Sequence, residues 1–347
     1  GNPYYVETTG DDANPGTSVA PWKTFAFAIP KLNPGDTLIL KNGTYNGTNS
    51  GFPNINCTTN ARNGTASARI TIKAENERQA WFKADGGVTV SAFKMQYCSY
   101  WTLDGFRASA SDNPIGSPQR PIVWVVDSNN MIVRRLLLHN TDRSGNNSAL
   151  LLHRTNNSLI EENEIYWFHR HGIGSSSVNG NVYRRNHVNS RLYADIAGYV
   201  SNHTDRGDES LSIYPGSNNL IENNITENNG SGPNRNNAAG TTVNNKGYGN
   251  ISLNDLYGSI TDARGNTLDT MVRSPLHENF VVINPQGSGL YARSVKDLVL
   301  RNASFFGGTA GATESGFLMD VDANGLEEGD GKYSATIENS LAINHSG

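Results

Sequence analysis

The sequence predicts an all-β chain wound as a parallel β-helix, a solenoid of about ten turns behind an N-terminal capping helix. Three observations predict it. The first is a recurring phrase: Asn156-Asn-Ser-Leu-Ile-Glu-Glu-Asn163, Asn181-Val-Tyr-Arg-Arg-Asn186, then Asn218-Asn-Leu-Ile-Glu-Asn223. Each copy reads as a short apolar strand, a charged residue, an asparagine and another short strand. The second is how far the phrase extends. Aligned on the residue before the asparagine, the copies fall at Lys73, Asp104, Arg135, Glu162, Arg185, Glu222, Leu253, Glu278, Arg301 and Glu338. Asparagine follows in seven consecutive copies, from Asn163 through Asn186, Asn223, Asn254, Asn279 and Asn302 to Asn339. The intervals are 31, 31, 27, 23, 37, 31, 25, 23 and 37 residues, so a coil of three short strands has a floor of 23 and takes loops of varying length. The third is the alternation of charge sign down that column. Equivalent residues on adjacent parallel turns lie about 4.8 Å apart, where like charges repel and opposite charges form a ladder. Stacked asparagines bond amide to amide in the same way.

In chain order, Tyr4 to Thr8 reads as a strand and Gly10 to Gly16 as a turn. In Pro21 to Leu32, the residues Trp22, Phe25, Ala26, Ile29 and Leu32 recur at helical spacing, with Pro21 at a first helical position. This helix is expected to cover the open end of the stack. Asp36 to Tyr45 gives a strand and a turn, and the coils run from residue 68 onward. The expected organisation is one domain over 1–347: a strand and helical cap in 1–50, repeat coils over 68–347, and a C-terminal end that stops mid-rung without an evident cap.

Composition agrees. Hydrophobic residues make up 36% of the chain and charged residues 17%, with 36 glycines, which favours short strands and tight turns over helices. A net charge of -4 without a basic stripe argues against nucleic acid as a partner. No run approaches the roughly 18 apolar residues of a membrane span. Cys57 and Cys98 could form one disulfide, which two thiols alone do not decide.

The Tyr-Val-Glu-Thr-Thr-Gly opening at Tyr5, the Asn14-Pro-Gly-Thr17 and Ala20-Pro-Trp-Lys-Thr24 segments, the helix and the Asn-x-Leu-Ile-Glu-x-Asn rungs together resemble secreted right-handed parallel β-helix proteins. These are the pectate-lyase-like group of polysaccharide lyases, hydrolases and epimerases. The resemblance implies a right-handed coil, secretion and a carbohydrate partner. It does not fix activity, because one fold hosts many functions.

The paired charges of the rungs (Arg134, Arg135, Glu161, Glu162, Arg184, Arg185 and Glu222) are read as scaffold. Site candidates come instead from the longest interruption, between Arg185 and Glu222. It carries Arg191, Tyr193, Asp195, Tyr199, His203, Asp205, Arg206, Asp208 and Glu209, and His169-Arg170-His171 precedes it. Long loops on a rigid scaffold tend to carry function. The strand after this loop falls on the face that forms the substrate groove in the resembling enzymes. Its copies are expected at 172–177, 210–215, 240–245, 289–294 and 316–322. Alternation then turns Leu211 and Ile213 inward and exposes Ser176, Ser212, Tyr214, Thr242, Asn244, Tyr291, Arg293 and Asp320. With Lys246 just beyond, such a face suits an acidic sugar chain, since tyrosine stacks on sugar rings and Arg or Lys pairs with carboxylates.

β-Elimination of a uronide needs a group that neutralises the carboxylate, a base for the α-proton and an acid for the leaving oxygen. Arg206, Arg293 or a bound cation suits the first role, Lys246 or His203 the second, and Tyr214 the third. His169, His171, Arg191, Tyr193, Asp208, Asn244 and Tyr291 are the substrate-binding candidates. The Gly240 to Asn250 segment is similar to the Ala-Asp-Gly…Lys…Gly-x-Gly-Asn segment of one pectate lyase family, whose lysine is the base. Here Ala239 stands where that family has Asp. Asp320, Asp322, Asn324 and Asp330 resemble the start of a calcium loop, although Gly331 stands where the closing Glu belongs. Calcium is thus the candidate cofactor, and no organic cofactor is expected. The leading expectation is an extracellular lyase of an anionic polysaccharide. The alternative is a non-catalytic adhesin, glycan-binding module or fibre subunit, which could associate end to end through the open C-terminal edge.

Overall fold

The computed structural model describes residues 1–84, 91–110, 121–141, 147–168, 170–190, 209–232, 235–238, 242–263, 272–293, 295–307, 316–320 and 334–343. Two compact units divide the chain, residues 1–169 and 170–347. Each is a coil of short parallel strands in three sheets, here called A, B and C.

In the first unit, sheet A runs Pro3–Val6, Thr37–Leu40, Ile70–Ala74, Trp101–Asp104, Ile132–Arg134 and Leu159–Glu161. Sheet B runs Gly43–Tyr45, Ala80–Lys83, Arg107–Ser109, Leu137–His139 and Glu164–Tyr166. Sheet C runs Asn54–Asn56, Phe93–Gln96, Val123–Val126 and Ser148–His153. The helical segment is shorter than its periodicity suggests: Phe25–Ala28 is α-helical and Ile29–Lys31 continues as a 3-10 turn. Trp22 instead bridges to Val6 in the sheet direction. Thr24 caps the turn by accepting from Phe27 N at 3.3 Å, and Asp12 accepts from both Thr24 N and its hydroxyl. Ala28, not Ala26, completes the buried face. Phe25 packs on Tyr45 and Phe82 at 5.6 and 5.3 Å between ring centroids, so the cap closes the core. Cys57 and Cys98 form a disulfide.

In the second unit, sheet A runs Val182–Arg184, Leu220–Glu222, Lys246–Tyr248, Leu276–Glu278, Leu298–Arg301 and Ala335–Glu338. Sheet B runs His187–Asn189, Ile225–Glu227, Ile251–Leu253, Val281–Ile283, Ser304–Phe306 and Leu341–Ile343. Sheet C runs His171–Ser176, Glu209–Ile213, Arg235–Ala238, Ser259–Ala263, Leu290–Arg293 and Phe317–Asp320. A small extra sheet joins Thr242–Val243, Val272–Arg273 and Val295–Lys296.

The rungs stack by register, and here the sequence alignment needs a one-residue correction. Lys73 pairs with Asp104 and Asp104 with Arg134, which in turn pairs with Glu161. In the second unit Arg184 pairs with Glu222, and Glu278 pairs with Arg301, which pairs with Glu338. The strand thus ends on the first of each doubled charge. The second (Arg135, Glu162, Arg185) turns the corner at φ 55, 57 and 52. Tyr248, not Leu253, is the uncharged member of the column, lying between Glu222 and Glu278. The charges are scaffold: Asp104 Oδ2 accepts from Arg134 at 2.9 Å and Arg135 at 2.6 Å, and Arg301 reaches both Glu278 and Glu338.

The asparagines divide into two sets for the same reason. Asn223, Asn279, Asn302 and Asn339 occupy the left-handed corner, a conformation asparagine tolerates better than most residues. Inside the coil it is the next position that stacks. Asn186 Nδ2 donates to Asn224 Oδ1 at 2.9 Å and Asn224 Nδ2 to Asn250 Oδ1 at 3.0 Å. Asn219 bonds likewise to Asn245. Asn254 belongs to a different corner, after sheet B, where Asn284 donates to it at 2.7 Å.

Candidate functional site

Sheet C of the second unit follows the long interruption, as expected, and carries the densest set of candidate side chains among the described residues. Along its strand Glu209–Ile213, Leu211 and Ile213 are buried in the core as read from sequence, but Ser212, expected to be exposed, is buried too at 2% exposure. Tyr214, just past the strand, is 38% exposed. Ser175 and Tyr183 hydroxyls meet inside at 2.7 Å, and burial pushes the Tyr183 phenol up to about 12.

At the head of this sheet, His171 and Glu209 are register partners on adjacent strands. His171 Nε2 lies 3.2 Å from Glu209 Oε2, with side chains 17% and 6% exposed. The carboxylate is covered and the imidazole is partly open. At that distance Nε2 can donate to the carboxylate, which would fix the orientation of the ring. Arg170 is the neighbouring residue, and its backbone carbonyl accepts from Glu209 N at 2.8 Å. Its Nε is buried without a partner. A candidate base and a carboxylate within hydrogen-bonding distance of it therefore stand together, with Arg170 next to them in the chain.

Tyr291 and Arg293 lie on the same sheet, both partly exposed, with the Tyr257 ring 5.7 Å from that of Tyr291. Arg293 takes Asp262 and Asp320 as backbone register partners. These residues do not converge with His171. Arg293 is four strand steps of about 4.8 Å across from His171 and, by register, five residues along, roughly 25 Å in all. Tyr214 lies five residues along from Glu209, about 16 Å. His171 and Glu209 share the inward phase of Ile173 and Leu211, whereas Tyr214, Tyr291 and Arg293 are in the outward phase and form an elongated spread.

Three expected members stand elsewhere. The sheet C copy is Arg235–Ala238, not 240–245. It reads Arg-Asn-Asn-Ala, with no apolar alternation to mark it, whereas Thr242-Val243 looks like a strand and belongs to the small extra sheet. Thr242 is buried. Asn244 sits at φ 59 in a corner and donates to Asn218 Oδ1 at 2.9 Å. Lys246 is exposed on sheet A, in register with Leu220 and Leu276, so it does not adjoin Tyr214 on sheet C. His169, Arg191, Tyr193, His203, Arg206 and Asp208 lie outside the described residues, as do Asp322, Asn324 and Asp330. Asp320 is described only as a strand residue. Among the described residues no group of three or more His, Cys, Asp or Glu is arranged to hold a metal ion. Glu209 was legible only as the last residue of the loop. Its phase with Leu211 and Ile213 is the signal, since an acidic residue at an inward position needs a partner.

A family model described as the Pel9A-like right-handed beta-helix region matches residues 4–168, just under half of the chain. No curated protein matches the sequence. Among solved structures, the pectate lyase Pel9A is 16% identical with a TM-score of 0.58, over 96% of this chain and 81% of that one. An alginate lyase from Paenibacillus sp. str. FPU-7 is 14% identical with a TM-score of 0.53, over 86% and 96%. An endo-xylogalacturonan hydrolase from Aspergillus tubingensis is 12% identical with a TM-score of 0.63, over 99% and 94%. These likenesses show the fold, a right-handed parallel β-helix, and tie residues 4–168 to the Pel9A-like region. No helix among the described residues is long and apolar enough to cross a membrane.

Proposed function

We propose that this chain acts outside the cell on an anionic, uronic-acid-containing polysaccharide, as a lyase that cleaves by β-elimination. The observation that carries the reading is the His171–Glu209 pair beside Arg170 at the head of sheet C. Elimination removes the proton α to the sugar carboxylate and expels the oxygen at the β position. A guanidinium near that carboxylate lowers the cost of the carbanion-like charge, a role for Arg170. His171 takes the proton, and Glu209 holds the ring in the tautomer that can do so. No residue is assigned to protonate the leaving oxygen, since Tyr214 lies too far along the strand. Tyr291 and Arg293, further across the face, suit neighbouring sugars by stacking and carboxylate pairing. The similar solved structures include lyases of pectate and alginate, which supports the substrate class. The disulfide is in keeping with an oxidising compartment.

The elongated spread of Tyr214, Tyr291 and Arg293 also suits a glycan-binding protein without catalysis. Incubation with pectate, alginate and glycosaminoglycans, with and without calcium, separates the two. Unsaturated product absorbing in the ultraviolet supports the lyase. Binding with no product on any uronide leaves the binding module.

A further inference from the structure

We infer that the outer face of sheet C in the first unit is a second, non-catalytic binding face for an acidic glycan. Its ligand class rests on the polysaccharide reading above, while its geometry is independent of His171. Adjacent strands place Asn54, Lys94, Trp124 and Leu151 in one outward column, and Asn56, Gln96, Val126 and His153 in the next. Phe93, Met95, Val123 and Val125 point into the core between them.

The Lys94 ammonium lies 4.9 Å from the centre of the Trp124 ring and has no carboxylate partner among the described residues. A cation over an aromatic face is held weakly at a partly exposed site, so a ligand carboxylate would displace it readily. The Trp124 indole N–H is buried without an acceptor. Tyr97 follows the Phe93–Gln96 strand at φ 58 with 48% of its surface exposed, offering a ring for stacking. Other charges on this sheet among the described residues are matched. Arg154 grips Asp127 through both nitrogens, with Nη2 to Oδ2 at 2.8 Å, and burial holds the His153 imidazole below its ordinary range, so it stays neutral. A cation with no carboxylate partner among the described residues, set among aromatic rings and amides, fits a carboxylated sugar, whereas nucleic acid needs a row of cations.

The disulfide supports the same face. Cys57 and Cys98 follow directly from Asn54–Asn56 and Phe93–Gln96, and Cys57 N donates to Gln96 O at 3.2 Å. The chain's single covalent tie thus fixes the two strands that carry Asn54, Lys94, Gln96 and Tyr97, a form of pre-organisation.

The test uses calorimetric titration of the full chain carrying His171→Ala, which blocks turnover in the proposed site. The probes are a galacturonic-acid oligomer, a mannuronic-acid oligomer and a neutral galactose oligomer. Lys94→Gln and Trp124→Leu should each weaken binding to one class of uronide sites about tenfold, with Lys94→Gln losing its effect at high salt. Unfolding midpoints for both variants should stay near the parent, and Trp124→Tyr gives a second measure if leucine unfolds the rung. Uronide binding unchanged by both substitutions, or equal binding of the neutral oligomer, overturns the inference. Uronide binding that depends on Lys94, with no unsaturated product from the wild-type chain, would sink the lyase reading and leave this face standing. Product formation with binding indifferent to Lys94 and Trp124 would do the reverse.

Discussion

Asp255 is a fully buried carboxylate inside the second unit, and replacing it with asparagine should make the protein more stable at neutral pH. Burial pushes its pKa from 3.8 up to about 6, against the pull of four hydrogen bonds. These come from Ser252 Oγ and Thr226 Oγ1 at 2.6 Å each, and from Asn229 N and Nδ2 at 2.7 and 3.0 Å. A folded pKa above the unfolded one means stability that is complete below about pH 3.8 and lost as the pH rises through about 6. A shift of that size corresponds to about 3 kcal/mol between the two ends of the window. Asn250 shows what an asparagine does one corner earlier in the same coil. Its Oδ1 accepts from Asn224 N and Nδ2, both at 3.0 Å, as Asp255 does from Asn229. In Asp255→Asn the new amide would face the Thr226 hydroxyl, which can turn toward Ile251 O at 3.5 Å. The assay is thermal or urea unfolding of both proteins at pH 4 and pH 7.5. The variant should gain on wild type by up to about 3 kcal/mol from the lower to the higher pH, with half of the gain reached at about pH 5 and little added above about pH 6. Other titrating groups cancel in the difference. A variant-minus-wild-type difference that is the same at both pH values would refute the reasoning.

Asn250→Ala takes the acceptor from Asn224 N and from one of the two Asn224 Nδ2 protons, and the donor from Ile221 O, inside the coil, and the unfolding free energy should fall by about 3–5 kcal/mol. His277 is buried with its pKa drawn from 6.5 to about 4 by burial, so its stability is present above about pH 6.5 and lost as the pH falls through about 4. His277→Leu should flatten that acid limb in the same unfolding series. Asp104→Ala leaves Arg134 and Arg135 without their shared carboxylate. Because both arginines are well exposed, the loss should be only about 1–2 kcal/mol, and it should shrink in high salt.

The coil was legible because its periodicity is carried by many residues at once. The direction of charge alternation survived a one-residue slip for a simple reason. Arg134-Arg135, Glu161-Glu162 and Arg184-Arg185 are doubled, so either member gives the same sign. Only backbone geometry tells that the second turns the corner, and hence that Asn224 rather than Asn223 stacks inside. The helix was overread because Trp22 is buried by a β-bridge as well as it would be by a helix. The site was less legible. His171 was found as a loop-end histidine, but its partner Glu209 is brought to it by strand register across 38 residues. Lys246 was misplaced because the Arg235–Ala238 strand is held by its neighbours' ladders and carries no apolar pattern of its own.

The most direct measurement is the rate at which unsaturated uronide appears when His171→Ala and Glu209→Gln are compared with wild type on the best anionic polysaccharide. A base held by a buried carboxylate predicts a fall of about 10²-fold or more for His171→Ala. Glu209→Gln should give a smaller fall and an altered pH profile. Wild-type rates in both variants, with folding intact, would contradict the account.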